Sequence, residues 1–345
     1  MQFGVCSFAD LGVHPVTGDA TNPYQRIQNL LEEVELADQS GLEVFALGEH
    51  HRPDYAVSSP AVVLAAAAVK TKNIRLSSGV TVLSSDDPVR VFQSFATVDL
   101  LSRGRAEIMA GRGSFIESFP LFGYKLEDYD ELFTEKLNML MQINNGETIS
   151  WKGKHTQSIN NRSVYPRPFQ SKLPIWVAVG GTPESVVRAA DLGLPMMLAI
   201  IGGLPARFAP YTRLYRDVYT KAGHPAADFQ LGINSHTYIA DTSQQAADEF
   251  YPPYADVMSR IGRERGWPGM NRQQFDASTG PEGALLVGSP QQVIDKILYE
   301  HELFGHTRFL AQMSIGAIAH KKVLHSMELF TTQVIPAVRK ALGTA

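Results

Sequence analysis

Three ionisable side chains follow directly after a short apolar run near the start of the chain. The run Val44–Leu47 leads through Gly48 to Glu49, His50 and His51. A parallel strand that is buried on both faces reads as an unbroken apolar run, and in an α/β barrel such strands deliver polar groups to the mouth of the active site. The pattern therefore predicts a chemical site at this strand end. Two histidines could equally cap the strand by bonding to neighbouring carbonyl groups.

A second turn suited to ligand binding follows the predicted strand Ala106–Ala110. Its residues are Gly111, Arg112 and Gly113. Two glycines let the backbone approach a ligand closely, and a guanidinium offers several fixed donors to a phosphate. The turn therefore predicts an anion site around Arg112, although a glycine turn with a solvated arginine has the same sequence.

The next predicted strand ends in a longer glycine-rich turn that begins with Gly180 and Gly181. Thr182 is a suitable N-cap for the helix that follows, and the free amides at the start of a helix attract anions. The hydroxyls of Thr182 and Ser185 could add donors. These residues predict a site for a phosphate monoester that needs no metal. An ordinary capped helix would explain the same residues.

Gly79 interrupts the predicted strand Ile74–Leu83. A glycine inside a strand marks a bulge, a packing gap or a place where a flat ligand presses against the backbone. We expect no metal site at Glu49, His50 and His51, because adjacent strand residues point in opposite directions and no obvious third ligand follows.

Bulk properties narrow the class of protein. The chain has 345 residues, 44% of them hydrophobic, a formal charge of -4 and a single cysteine, Cys6. This length accommodates one large α/β domain, and the lack of a long basic run argues against nucleic-acid binding. No apolar run approaches the roughly 20 residues of a membrane span. A lone cysteine fits a reducing cytoplasm, so we expect a cytoplasmic protein whose partner is a small molecule.

Apolar runs alternate with amphipathic segments along the whole chain. This order predicts an α/β fold, namely a closed (β/α)8 TIM barrel that forms one domain over residues 1–345 and has its active site at the C-terminal strand ends. An open doubly wound sheet is the alternative, but no G-x-G-x-x-G follows the first strand. The predicted strands are Phe3–Phe8, the run from Val44, Ile74–Leu83, Ala106–Ala110, Ile175–Val179, Met196–Ile201, Phe229–Ala240 and Thr307–Met313.

Two polar stretches depart from this alternation. The stretch at about 146–173 reads as an insertion or a small surface hairpin, and the stretch at about 266–288 is rich in Gly and Pro and reads as a loop that covers the site. A closing amphipathic helix is predicted over Val323–Leu342.

Taken together, the motifs resemble the bacterial luciferase-like flavin-dependent monooxygenases, over a region from Phe3 to near Val338. Each matching segment is short, but the segments occur in order and at compatible strand positions. They are Leu47–His51, Gly79–Thr81, Asp87–Arg90, Leu101–Arg105, Gly111–Gly113 and Gly193–Met196.

The resemblance implies a barrel that binds reduced FMN or, in one branch, the deazaflavin F420, and that is usually a dimer formed through helices of its first half. His50 matches the family's active-site histidine beside the flavin ring. Gly79 and Val80 match the position where a non-proline cis peptide lies against that ring. Arg112 would contact the flavin phosphate together with the Gly181–Ser185 turn. The luciferase catalytic subunit carries a reactive cysteine after the turn at Gly111, and this chain has none, so light emission is not implied.

Three functions are compatible with these residues. The first is a monooxygenase in which reduced FMN and O2 form a flavin C4a-(hydro)peroxide that oxidises a small organic substrate, with His50 donating or accepting a proton and a separate reductase supplying the flavin. The second is an F420-dependent hydride-transfer oxidoreductase. The third is a flavin-binding protein without catalysis. An imidazole pKa of about 6.5 would permit either proton role near neutral pH.

Overall fold

Eight parallel strands close into a barrel in this computed structural model, which describes residues 1–113 and 115–343. Ser114 and the last two residues lie outside the described part of the chain. Each strand pairs with the next in the chain, and β8 pairs with β1 while β4 pairs with β5 to complete the ring. The barrel strands are β1 Gln2–Ser7, β2 Val44–Leu47, β3 Arg75–Ser78, β4 Ala106–Gly111, β5 Ile175–Val179, β6 Met196–Ile200, β7 Leu231–Ile239 and β8 Arg308–Ser314.

Helices surround this ring and bury their apolar faces against it. Several begin with proline in the first turn after a capping residue, which satisfies the orphan amides and sets the helical φ angle. In the described part of the chain the helices are α1 Pro23–Gln39, α2 Pro60–Lys70, α3 Pro88–Ser102, α4 Ser118–Leu121, α5 Tyr129–Asn145, α6 Pro183–Asp191, α7 Ala209–Lys221, α8 Ser243–Arg265, α9 Arg272–Thr279, α10 Pro290–Phe304, α11 His320–Leu329 and α12 Ile335–Ala341. None of these helices is long and apolar enough to cross a membrane.

A buried ion pair fills the N-terminal end of the barrel interior. The Arg308 guanidinium donates to both oxygens of Glu107 at 2.8 and 3.1 Å and lies 4.1 Å from the centre of the Trp176 ring. A bidentate pair of this kind keeps the two charges compensated away from water. The cavity lies at the other end of the barrel, toward the C-terminal ends of the strands.

The structure gives the detail of three predicted elements. The strand expected over 74–83 is divided, because β3 ends before Gly79 and Thr81–Val82 pairs separately with β4. The stretch at 146–173 contains the antiparallel hairpin Thr148–Trp151 and Ile159–Ser163, as one of the two interpretations expected. The closing helix begins at His320 and is divided by a π-helical turn at Phe330–Val334.

The largest difference concerns the stretch at 266–288, which the sequence predicted to be a covering loop. It contains α9 and the short strand Leu286–Gly288, which pairs with the end of β7. Phe275 on α9 is buried against α8 in a small apolar cluster. No residue described in this stretch lines the cavity. The prediction was wrong because β7 extends beyond the barrel and offers a free edge that only the folded chain contains.

Candidate active site

A cavity of about 340 Å³ opens at the C-terminal ends of the barrel strands. Every barrel strand or the turn after it contributes to the wall, so the cavity lies on the barrel axis. Contributing residues, in strand order, are Cys6, His50, Gly79, Met109, Ala178, Met197, Asn234 and Leu310. Most of its surface is apolar, which is typical of a site that binds a small organic ligand.

The two predicted anion sites form one site. Arg112 Nη2 donates to Thr182 Oγ1 at 2.8 Å, and Thr182 Oγ1 donates to Ser185 Oγ at 2.9 Å. Arg112 and Thr182 both line the cavity, whereas Ser185 is buried behind Thr182. The exposed carboxylate of Asp130 pairs with Arg112 Nη1 at 2.5 Å. An incoming phosphate would therefore compete with a solvated carboxylate for this guanidinium.

A second cation lies next to this site, and no sequence motif indicated it. Arg188, near the end of α6, has a buried Nη1 atom that no described residue accepts from. Burial lowers the pKa of Arg188, and the neighbouring charge of Arg112 lowers it further. Two neighbouring guanidiniums, one of them paired with the exposed Asp130 carboxylate, favour an anion with more than one negative charge.

His50 is held among aromatic rings. Its imidazole stacks on Tyr55 with a centroid distance of 4.1 Å and makes edge contacts with Phe8 at 4.6 Å and Phe115 at 5.3 Å. Burial lowers the pKa of His50 to about 3, and the charges of His51 and Arg52 add to the effect. This pKa lies well below the ordinary imidazole value of about 6.5, because the rings remove the water that would solvate the charged form.

Glu49 and His51, on either side of His50 in the chain, are hydrogen-bonded to each other. Glu49 Oε1 accepts from His51 Nε2 at 2.9 Å, and Glu49 Oε2 accepts from the backbone amide of Val82 at 2.9 Å. Glu49 thus ties the end of β2 to the short strand after Gly79. Glu49 therefore has a structural role in holding these two segments together, and His51 lines the cavity wall.

The peptide bond between Gly79 and Val80 is cis, which confirms that part of the expectation. A Cβ atom on Gly79 would lie 2.9 Å from the Ala46 methyl group and 3.4 Å from Cys6 Sγ. Glycine is therefore required at this position by close packing inside the barrel. Gly79 and Val80 both line the cavity. Their contact with a flavin ring remains a prediction.

Arg52 joins three separate segments at the cavity mouth. Its guanidinium pairs with Asp54, with Glu117 just before α4, and with Glu264 at the end of α8, where Nη2 reaches the carboxylate at 2.6 Å. It also lies 4.7 Å from the Phe115 ring centre. These contacts hold the mouth together over the ring cluster. Sequence motifs missed Arg52 because its partner Glu264 is 212 residues away.

The remaining predicted residues occupy the same strand end. Gly180 lines the cavity, and a Cβ atom there would meet nothing within 4 Å, so its backbone is open to a ligand. Gly181 does not line the cavity, because it faces Phe208 and Tyr211 with a φ of +108°. Ser185 contributes only through Thr182.

Comparison with known proteins agrees with this geometry. Residues 1–307 match the sequence profile of luciferase-like monooxygenases. The oxygenase component of the flavin-dependent trigonelline monooxygenase from Acinetobacter baylyi is 24% identical over 348 residues, which cover 92% of each chain. The crystal structure of the monooxygenase RslO1 from Streptomyces bottropensis is 25% identical, with a TM-score of 0.84 over 97% of this chain and 99% of that one.

Two more distant structures share the fold alone. The oxygenating constituent of 3,6-diketocamphane monooxygenase from Pseudomonas putida, solved with FMN, has a TM-score of 0.77 at 18% identity, with 97% of this chain and 98% of that one covered. An F420-dependent secondary alcohol dehydrogenase has a TM-score of 0.76 at 16% identity, with 98% and 99% covered. Overall similarity therefore does not distinguish the two cofactors.

Proposed function

We propose that this chain, which belongs to the luciferase-like monooxygenase family, binds reduced FMN and uses O2 to oxidise a small organic substrate. The observation that carries the proposal is the cavity whose wall brings together His50, Gly79, Val80, Arg112 and Thr182. These residues come from four different strand ends, and together they fit the ring and the phosphate of a flavin mononucleotide.

The phosphate would be held by Arg112 and the hydroxyl of Thr182. Ser185 accepts a hydrogen bond from the Thr182 hydroxyl in the observed arrangement and would orient that hydroxyl. Displacement of the exposed Asp130 carboxylate frees one edge of the guanidinium, and the cation of Arg188 adds favourable charge. A terminal phosphate monoester carries more negative charge than a phosphodiester, so this site favours FMN over F420.

The protein's part in the reaction is to position groups and to exclude water. Bound reduced flavin would supply the activation of O2. The apolar wall keeps water away from the reacting atoms, and the Arg52 contacts hold the mouth over the ring cluster. His50 stays neutral, so its role is to exchange hydrogen bonds with the ligand; at a pKa of about 3 it does not supply a proton as an imidazolium.

The proposal includes two partners. A separate reductase would deliver reduced flavin, because the related trigonelline enzyme is an oxygenase component and this chain lacks a G-x-G-x-x-G after its first strand. A second copy of the chain would cover the apolar residues exposed on α2 and α3, which pack against each other. These residues are Val62, Val69, Leu100 and Leu101. Sedimentation at micromolar concentration tests the homodimer, which we expect to form in the cytoplasm.

Equilibrium binding of FMN, riboflavin and F420 tests the cofactor site. We expect FMN to bind, and Arg112→Ala to weaken it by about tenfold or more because a charge-assisted hydrogen bond is worth about 1.5–3 kcal/mol. Riboflavin lacks the phosphate, so its affinity should not change in this variant. Arg213→Ala removes an exposed arginine on α7 and serves as the matched control. If F420 binds and FMN does not, the proposed oxygenase reaction is wrong and F420-dependent hydride transfer takes its place.

Oxygen uptake then tests the reaction. The holoprotein with chemically reduced FMN should consume O2 faster when a substrate is present and should release an oxygenated product. Flavin binding without turnover of any substrate would instead support the third function, a flavin-binding protein without catalysis.

A further inference from the structure

Half of the cavity wall is not used by the residues assigned to the flavin. Those residues follow β2, β3, β4 and β5, whereas β6, β7, β8 and β1 line the opposite half. The lining residues from β6, β8 and β1, including those just after these strands, are Met197, Ala199, Ile201, Leu310, Cys6 and Phe8. This half is therefore apolar, and its one described polar lining side chain is Asn234 on β7.

Asn234 is only 7% exposed, and its amide is oriented by the backbone of β8. Nδ2 donates to the carbonyl oxygen of Leu310 at 3.1 Å. The opposite amide orientation would place two acceptors against each other, so Oδ1 is the atom left over. Among the described residues none donates a hydrogen bond to this oxygen.

This oxygen faces the cavity, where water can donate to it. A ligand that displaces the water leaves the acceptor without a partner, at a cost of about 1–3 kcal/mol, unless the ligand donates a hydrogen bond itself. The surrounding side chains are apolar and cannot donate. No described charged side chain lines this half of the cavity, so a charged ligand would lack a counterion there. A ligand that fills this half of the cavity should therefore be neutral and should supply the donor itself.

We propose that Asn234 selects the substrate by accepting a hydrogen bond from it. The substrate is then a neutral, largely apolar molecule that carries one O–H or N–H group at its buried end. This inference rests on the proposed function, because it assigns the other half of the cavity to the flavin. A wholly apolar hydrocarbon would leave Oδ1 unpaired and would bind less well.

Phenol and toluene form a matched pair of probes, because they differ in one O–H group. Their affinities are measured by ligand-observed NMR with the FMN-loaded protein and with the protein free of FMN. The variant Asn234→Leu keeps the branched shape and the number of side-chain heavy atoms while it removes the acceptor, and Asn234→Ala removes the acceptor without adding branched bulk. Met197→Leu changes the same wall but keeps it apolar, and serves as the control.

We expect wild type and Met197→Leu to prefer phenol. Both Asn234 variants should bind phenol about fivefold more weakly, as expected for one lost neutral hydrogen bond, while toluene affinity is kept and FMN affinity changes by less than twofold. An unchanged ratio of phenol to toluene affinity would overturn the proposal.

The flavin itself is the competing donor through its ring imide, and N3-methyl-FMN identifies that case. In that case Asn234→Leu would lower the affinity for FMN about fivefold but would bind N3-methyl-FMN as tightly as wild type does. Asn234 would then accept a hydrogen bond from the flavin, and the proposal would be wrong. Failure of the proposed function has a different result, namely that FMN does not bind wild type. The comparison of phenol with toluene on the flavin-free protein then still decides the role of Asn234.

Discussion

Lowering the pH from about 7.5 to about 5.5 should leave the His50 ring neutral in the folded protein and protonate it in the unfolded chain. Burial among Phe8, Tyr55 and Phe115 lowers the folded pKa to about 3, and the unfolded value is about 6.5. Between these two values the unfolded chain binds more protons. The stabilising contribution of the neutral ring is therefore present above pH 6.5 and is lost as the pH falls below it.

The magnitude follows from the two pKa values. Over this interval the unfolded His50 gains nearly one proton and the folded ring gains almost none, so the free energy of unfolding should fall by about 1.4 kcal/mol from His50 alone. His236 and His306 are also buried with lowered pKa values, about 4 and about 3, and contribute in the same direction. The difference between wild type and His50→Gln isolates the contribution of His50, because glutamine does not titrate.

Two measurements check this prediction. Urea denaturation at both pH values measures the free energy of unfolding. Its decrease on lowering the pH should be about 1.4 kcal/mol smaller in His50→Gln than in wild type. Proton NMR of the C2–H resonance, assigned with the same variant, should show no titration of His50 between pH 5 and 8. A midpoint between 6 and 7 would refute the reasoning, because it would mean that water or an anion reaches the ring and solvates its charged form.

Three further predictions concern the supports of the site. Glu107→Gln should lower the free energy of unfolding by about 3–5 kcal/mol because it leaves the buried Arg308 charge without its counterion; chemical denaturation measures this, and a loss below about 1 kcal/mol would contradict it. Arg52→Gln should speed FMN release roughly fivefold because it breaks the pair with the partly exposed Glu264 at the mouth, and an unchanged rate in stopped-flow fluorescence would show that this contact does not hold the ligand. Thr182→Val should weaken FMN about fivefold and leave riboflavin unaffected; equal effects on both ligands in titration would place the hydroxyl away from the phosphate.

The barrel could be predicted because parallel strands buried on both faces leave a strong trace in the sequence. Val44–Leu47 and Ile175–Val179 are such runs, and they were found at the right positions. Short pieces were missed, because a strand such as Leu286–Gly288 exists only where a neighbouring edge is free to pair with it. Its own residues do not distinguish it from a loop.

The candidate site was predicted in part for a similar reason. Glycine, threonine and arginine at strand ends have local chemistry, so Arg112 and Thr182 could be recognised, and the fold brings them within hydrogen-bonding distance. Asn234 and Arg188 lack any such local signal. The roles of these two side chains depend on which face of the strand or helix they occupy and on which residues pack against that face.

By itself the sequence determined the order of strands and helices, the strand ends that carry polar groups, and the family resemblance, because these are properties of neighbouring residues. Tertiary structure alone decided that His50 is buried and its pKa lowered, that Arg52 reaches Glu264, and that Asn234 directs its amide oxygen toward an apolar cavity. The physical reason is that desolvation and pairing depend on distances across the barrel. Those distances are set by packing between residues far apart in the chain.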